Sequence, residues 1–112
     1  MREPTYFVLA SLLDGPVHGY AIIQRAEHLS GGRVRLATGT LSTALDRLTA
    51  EGLVELVSEE IVNGRARRSY GLAPSGSGAL RAEAARMAAA SMVTGRGHSP
   101  TTVRNARKVS PA

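Results

Sequence analysis

The sequence predicts a small, mainly α-helical domain that carries a single β-hairpin. Three observations support this fold class. Apolar residues recur at helical spacing in several separate stretches, an Asn-Gly pair joins two strand-like stretches, and glycine or proline ends each stretch. At 112 residues the chain has room for one such domain.

Two helices are expected in the first third of the chain. Pro4 suits the first turn of a helix, and the apolar residues from Tyr6 to Leu13 continue that helix as far as an Asp-Gly-Pro stop. A second helix is expected from about Gly19 to Leu29, because Ile22 and Ala26 recur at helical spacing with Leu29 and a glycine pair follows.

A short strand and a third helix follow. The segment Arg33-Val34-Arg35-Leu36 alternates polar and apolar residues, which predicts a short strand. In the third helix Leu41, Ala44, Leu45 and Leu48 form an inward stripe, and Thr38 or Thr40 is expected to cap the first turn. Gly52 supplies the left-handed residue that ends the helix.

The Asn63-Gly64 pair predicts a tight hairpin between strands Leu53–Val62 and Arg65–Leu72. Symmetrical closure about this turn places Glu60 opposite Arg67, Glu59 opposite Arg68 and Val62 opposite Arg65. A one-residue bulge would instead pair Glu60 with Arg68 and leave Arg67 free.

The last part of the chain is predicted to hold one helix and a tail. An alanine-rich helix is expected from about Ser75 to Val93, with Leu80, Ala84 and Met87 along one side. Residues 94–112 are rich in Gly, Ser, Thr, Pro and Arg, which predicts a disordered basic tail. The expected organisation is therefore a domain over residues 1–73, a helix over 74–93 and a tail over 94–112.

The basic character of the chain is concentrated near its end. The formal net charge is +5 and the pI is about 10.7. Four of the basic residues lie beyond residue 93, and without them the formal charge is about +1 (5 − 4 = 1): Arg96, Arg104, Arg107 and Lys108. Any case for nucleic-acid binding therefore depends on local geometry rather than on global charge.

Several classes of function are disfavoured by composition. The chain has no cysteine, and its three histidines are scattered without metal-ligand spacing, so we expect no metal site and no cofactor. No nucleophile, base and orienting group are brought together by any motif, so we expect no enzyme activity. The absence of cysteine fits a reducing compartment, so a cytoplasmic protein is expected. The longest apolar run is too short to span a bilayer, so no membrane partner is expected.

Helix, helix, short strand, helix and hairpin form the order of a winged helix, a helix-turn-helix variant whose hairpin is the wing. Three quoted segments resemble the PadR-like family of bacterial transcriptional regulators in order and spacing: "LLDGPVHGYAII", "GGRVRLATGTLSTALDRLTAEGLVE" and "NGRARRSYGLAPSG". The resemblance covers Leu9 to about Gly78, well over half of the chain.

The resemblance implies a winged helix-turn-helix that binds double-stranded DNA through the third helix and the wing. The hydroxyls of the third helix can donate to phosphates or bases, and an arginine can fork onto a guanine or a phosphate. The candidate contacts are Thr38, Thr40, Ser42, Thr43 and Arg47 on the helix, and Asn63, Gly64, Arg65, Arg67 and Arg68 on the wing. Arg65, which lacks a glutamate opposite, is the strongest candidate on the wing.

This chain departs from the family pattern within the third helix. Thr38 stands where the family commonly has proline, and Ser42-Thr43 replaces a common Tyr-Pro pair. Asp46 occupies an outward position that is usually basic, and it would repel phosphate unless Arg47 or Arg25 neutralised it. The DNA contacts of relatives therefore cannot be copied onto this helix.

The resemblance also implies a homodimer that is held by the C-terminal helix with help from the first helix. The expected interface residues are Tyr6, Phe7, Leu80, Ala84 and Met87. An ordinary helix docked on its own domain is the alternative explanation of the last three. Some family members bind flat aromatic effectors between subunits, often against tryptophan, but this chain has no Trp, so no effector is assigned.

The expected function is that of a DNA-binding regulator, a repressor that binds a near-palindromic operator as a homodimer. Two other functions stay open at this point. One is a winged-helix module for protein contacts without specific DNA binding. The other, a basic RNA-binding protein, is disfavoured because the sequence shows no aromatic platform for stacking bases.

Overall fold

The computed structural model describes residues 1–98 and has the mainly helical fold, with a small antiparallel sheet, that the sequence predicts. Within these residues the helices are α1 (Glu3–Ala10), α2 (Gly19–Leu29), α3 (Thr38–Ala50) and α4 (Pro74–His98). The strands are β1 (Val17–His18), β2 (Val54–Val62) and β3 (Arg65–Leu72). No helix in this range is long and apolar enough to cross a membrane.

α1 is shorter than predicted, since it ends at Ala10 rather than at Leu13. The hydroxyl of the buried Ser11 donates to the carbonyl of Val8 at 2.6 Å. The backbone amides of Leu12 and Leu13 then bond three residues back, which tightens the chain into turns. α2 has the predicted bounds.

The predicted short strand at 33–36 is wrong, and the third strand of the sheet is β1 instead. β1 pairs with β3 so that Val17 lies opposite Tyr70 and His18 opposite Ser69, which gives the sheet order β1-β3-β2. In the 33–36 segment the Val34 amide donates to the Ser30 hydroxyl at 2.9 Å, so a side chain rather than a strand satisfies this backbone group.

The same 33–36 segment is fastened to α1 and α2 by its arginines. Arg33 bonds the carboxylate of Glu3, and this hydrogen bond holds the pKa of Glu3 below its usual value. Arg35 lies 3.8 Å from the carboxylate of Glu27. The chain therefore enters α3 along a defined path.

The core lies where α1, α2 and α3 meet the base of the sheet. Of the predicted inward stripe of α3, Leu41, Leu45 and Leu48 are buried and Ala44 is half-buried. Complete burial of such a side chain stabilises a fold by about 1.5–3 kcal/mol. The other buried hydrophobic residues are Val8, Leu9, Leu12, Val17, Ile22, Ala26, Val34, Val54, Tyr70 and Leu80.

The hairpin has the predicted turn and the predicted register at its tip. Asn63 and Gly64 both have positive φ, 53° and 77°, as a two-residue hairpin turn requires. Val62 lies opposite Arg65, Glu60 opposite Arg67 and Glu59 opposite Arg68. The register shifts only between Leu56 and Ser58, at the base of the hairpin, so the alternative bulge near the tip does not form.

The start of α4 is joined to the segment that follows α3. The Ser75 hydroxyl donates to the Gly52 carbonyl at 3.1 Å, and the Ala73 amide donates to the Leu53 carbonyl at 3.0 Å. A Cβ added to Gly76 would lie 1.9 Å from the Leu53 carbonyl oxygen, so the helix approaches this backbone in a way that only glycine allows. The first turns of α4 therefore belong to the compact unit of residues 1–81.

α4 continues past the predicted end at Val93 and reaches His98. From Ala82 onward it belongs to a second compact unit. The first five residues of the predicted tail are therefore helical, and residues 99–112 of that tail lie outside the described residues.

Two glycines of α4 provide a matched test of this junction. Gly76→Ala should lower the free energy of unfolding by about 1–3 kcal/mol, because its Cβ would overlap the Leu53 carbonyl. Gly78→Ala should raise it by about 0.5–1 kcal/mol, because Gly78 has open space around it and alanine favours a helix. Urea unfolding followed by circular dichroism measures both, and equal effects would contradict the close approach at Gly76.

Candidate nucleic-acid interface

A cleft of about 1040 Å³ lies between the N-terminal ends of α2 and α3 and the hairpin, which we call the wing. It contains three arginines, and none of its lining residues is acidic. Its walls therefore favour a negatively charged partner. The lining residues are His18, Gly19, Tyr20, Ile23, Thr38, Leu41, Ser42, Leu45, Val62, Asn63, Arg65, Ala66, Arg67, Arg68 and Tyr70.

Two helix N-termini reach this cleft, and they differ in how they are capped. At α2 the backbone amide of Ala21 donates to Nδ1 of His18 at 3.4 Å. At α3 the N-cap residue is Ala37, which has no capping side chain. The predicted cap by Thr38 or Thr40 is wrong, because both residues lie within the first turn of the helix.

The first amides of α3 therefore have no acceptor within the helix. Thr38, Gly39 and Thr40 are exposed, and the first turn contains no acidic residue. The positive end of the helix dipole is thus left available to an external anion such as a phosphate.

The arginines of the wing differ in whether they have partners. Arg68 donates to the Glu59 carboxylate at 2.8 Å, and this hydrogen bond raises the pKa of Arg68. Arg67 lies opposite Glu60, but within residues 1–98 these two side chains form no ion pair. The predicted glutamate partner of Arg67 is therefore absent, whereas that of Arg68 is present.

Arg65 is opposite Val62 and likewise makes no ion pair in the part of the chain that the structure covers. Alternation along β3 puts Arg65 and Arg67 on one face and Arg68 with Tyr70 on the other. Within the described residues two guanidinium groups of the wing are thus without an ion pair, while the third, that of Arg68, is bonded to a carboxylate. An exposed pair of this kind is worth about 0.2–1 kcal/mol, so a phosphate could replace Glu59.

The candidate residues of α3 divide into three groups. Thr38 and Ser42 line the cleft together with the wing residues. Thr40 and Thr43 are exposed but lie outside the cleft wall. Arg47 turns towards α1 and its own last turn.

The guanidinium of Arg47 has two partners. It donates to the Thr5 hydroxyl at 3.3 Å and lies 3.6 Å from the Glu51 carboxylate. The predicted contact of Arg47 with DNA stays a prediction, and it requires the side chain to leave both partners.

Two residues that the sequence interpretation did not place at the site lie in the cleft wall, His18 and Tyr20. Tyr20 is 68% exposed, although a tyrosine at the start of an amphipathic helix is expected to be partly buried. Its hydroxyl can donate to a phosphate oxygen. One feature of the sequence could have pointed to Tyr20 as a site residue: it follows His18 and Gly19 at the start of a helix, directly after a turn.

The expected dimer residues lie in different environments. Leu80 is buried in the core, which corrects its assignment to a surface for a second subunit. Tyr6 and Phe7 are half-buried and stack edge to face, with ring centroids 5.1 Å apart. Ala84 and Met87 are exposed on α4.

No group of three or more His, Cys, Asp or Glu residues within the described part of the chain could hold a metal ion. The cleft contains hydroxyls, one histidine and arginines, and this set suits the binding of an anion.

Comparison with known proteins identifies the family. The model of the transcriptional regulator PadR-like family matches residues 8–82, well over half of the chain. The transcriptional regulator Rv3488 of Mycobacterium tuberculosis is 45% identical over 74 residues, which are 65% of this chain and 64% of that protein. An uncharacterized 37.1 kDa protein in transposon TN4556 of Streptomyces fradiae is 45% identical over 87 residues, 78% of this chain but 24% of that protein.

Solved structures agree on the fold. A PadR family transcription regulator from Clostridium difficile has a TM-score of 0.68 at 22% identity, covering 82% of this chain and 94% of that one. Bacillus subtilis PadR in complex with operator DNA has a TM-score of 0.66 at 23% identity, covering 93% of this chain and 54% of that one. The winged-helix fold and the family match agree, and the chain belongs to the PadR-like family of transcriptional regulators.

Proposed function

We propose that this transcriptional regulator acts as a repressor and binds a near-palindromic operator as a homodimer. The observation that carries the proposal is the cleft, where two helix N-termini and three arginines meet without an acidic residue in the wall. The complex of Bacillus subtilis PadR with operator DNA supports DNA as the partner. Binding over a promoter would exclude the polymerase, so no chemical turnover is required.

In the proposed complex the exposed side of α3 enters the major groove, with the N-terminal residues of the helix towards the base edges. Thr40 and Thr43 would approach base edges, while Thr38 and Ser42 would donate to phosphates beside the wing. The α3 helices of the two subunits would lie about 34 Å apart, one turn of the duplex. Arg65 and Arg67 would follow the phosphate backbone or enter the minor groove.

A second candidate function is a protein-interaction module that uses the outer strand of the wing. Leu56, Val57 and Ile61 on β2 are 47%, 51% and 72% exposed, and β2 is an edge strand. An exposed apolar edge favours pairing with another chain. DNA binding is the stronger candidate, because the cleft selects for anions.

A salt titration on DNA separates the two functions. The duplex would be the region upstream of the protein's own gene, compared with random duplex of equal length. Specific binding that weakens steeply with salt is expected for a regulator that contacts phosphates. Equal affinity for both duplexes at every salt concentration would contradict operator binding and favour the interaction module.

Arg65→Ala should weaken DNA binding and reduce the steepness of its salt dependence. The reason is that an unpaired guanidinium, when it binds a phosphate, displaces a counterion from the DNA. The slope of log K against log salt should fall by about 1 for each subunit bound. Arg68→Ala is the matched comparison and should change the slope less, because Glu59 already holds Arg68. An unchanged slope in Arg65→Ala would remove Arg65 from the phosphate contacts.

Ala84→Glu should dissociate the proposed dimer, because a carboxylate would be buried against a second copy of α4. Ala89→Glu makes the same change on the opposite side of the helix and should leave the dimer intact. Both alanines are exposed in the single chain. Sedimentation equilibrium measures the outcome, and a dimer that survives Ala84→Glu would contradict this interface.

A further inference from the structure

Asp46 lies on the side of α3 that faces away from the core. Its neighbours on that side are Gly39, Thr43 and Ala50, and all four residues are exposed. The opposite side of the helix is the buried leucine stripe. If α3 enters a major groove with its exposed side towards the DNA, Asp46 faces the floor of the groove one turn beyond Thr43.

Among the described residues, neither of the two basic side chains expected to neutralise Asp46 reaches it. Arg47, the next residue, bonds Thr5 and Glu51 instead. Arg25, the other basic residue expected to compensate it, donates to the Ser11 carbonyl at 3.3 Å. The carboxylate of Asp46 forms no hydrogen bond or ion pair within the residues that the structure describes.

The position of Asp46 does not favour the helix. Aspartate is among the weaker helix formers, and it helps a helix mainly in the first turn, where it complements the dipole. Asp46 lies in the C-terminal half of α3, and no lysine or arginine stands four residues before or after it. Helix stability therefore gives no reason for an aspartate at this position.

We propose that Asp46 is a specificity-determining residue that accepts a hydrogen bond from the N4 amino group of a cytosine in each half-site. This inference rests on the proposed operator binding. An ionised carboxylate offers acceptors only, and among major-groove edges the cytosine amino group presents a donor without an adjacent acceptor on the same base. Away from a cytosine the same charge repels phosphates, so Asp46 weakens binding to other sequences.

The test is a selection of bound duplexes from a random pool, carried out with the full chain and three variants. Asp46→Asn should move the preference at one position of each half-site from cytosine to adenine, because an amide pairs with both N6 and N7 of adenine. Asp46→Ala should lose the preference at that position and keep the rest of the motif. Asp14→Asn removes the same charge from an exposed turn outside α3 and the wing, and it should select the wild-type motif.

Affinities measured on single duplexes complete the test. Replacing the cytosine should weaken wild-type binding about fivefold or more, the lower end of what one good base contact supplies. The same replacement should have little effect on Asp46→Ala. Affinity for random duplex at low salt should rise roughly two- to fivefold in both Asp46 variants, the size of one charge repulsion in water. Asp14→Asn should show a smaller rise.

The outcomes separate this inference from the proposed function. If the wild type selects a motif that both Asp46 variants share at every position, Asp46 is only a solvated surface residue and the inference is wrong. If the wild type selects no motif, operator binding itself fails and the inference falls with it. Thermal unfolding followed by circular dichroism serves as the folding control. Both Asp46 variants should unfold at the wild-type temperature, because exposed Asp46 makes no core contact.

Discussion

The burial of one stripe of α3 is the constraint on which the rest of the molecule depends. Leu41, Leu45 and Leu48 are 3%, 3% and 0% exposed, and together they fix the rotation of the helix about its own axis. A rotation by one residue would expose a leucine and bury a polar side chain in its place. Because that rotation is fixed, Thr43 and Asp46 must face outward and Ser42 must face the wing.

The ends of α3 are determined by a second set of contacts. The segment before the helix is fastened by Arg33 to Glu3 and by the Val34 amide to Ser30. At its other end Arg47 reaches back to Thr5. The first turn of α1 thus touches both the entry and the last turn of α3, so the helix can shift along its axis only if these contacts break.

The elements of the fold that the sequence predicted correctly are those whose patterns lie within a few neighbouring residues. Helical spacing placed α2 and the buried stripe of α3, and the Asn-Gly turn set the register of the wing. β1 was missed because two residues become a strand only when β3 lies beside them. The 33–36 segment alternates like a strand, but Ser30 satisfies its backbone in a way that no pattern shows.

The sequence predicted which residues lie at the candidate site better than it predicted the contacts that these residues make. The wing arginines were found from the sequence, yet their partners depend on side-chain conformation, and only Arg68 is paired among the two that face glutamates. Leu80 fits a surface stripe on a helical wheel. It is buried because Gly76 allows α4 to approach the Leu53 carbonyl, a contact between segments far apart in the chain.

The two arginines of the wing that form no ion pair and the uncapped N-terminus of α3 attract DNA over different distances, and this difference has a kinetic consequence. The field of Arg65 and Arg67 extends into solvent for about a Debye length, roughly 8–10 Å, so it acts on a polyanion before any contact is made. The amides at the start of α3 act only at hydrogen-bond distance. The wing should therefore govern how often an encounter forms, and α3 how long it lasts.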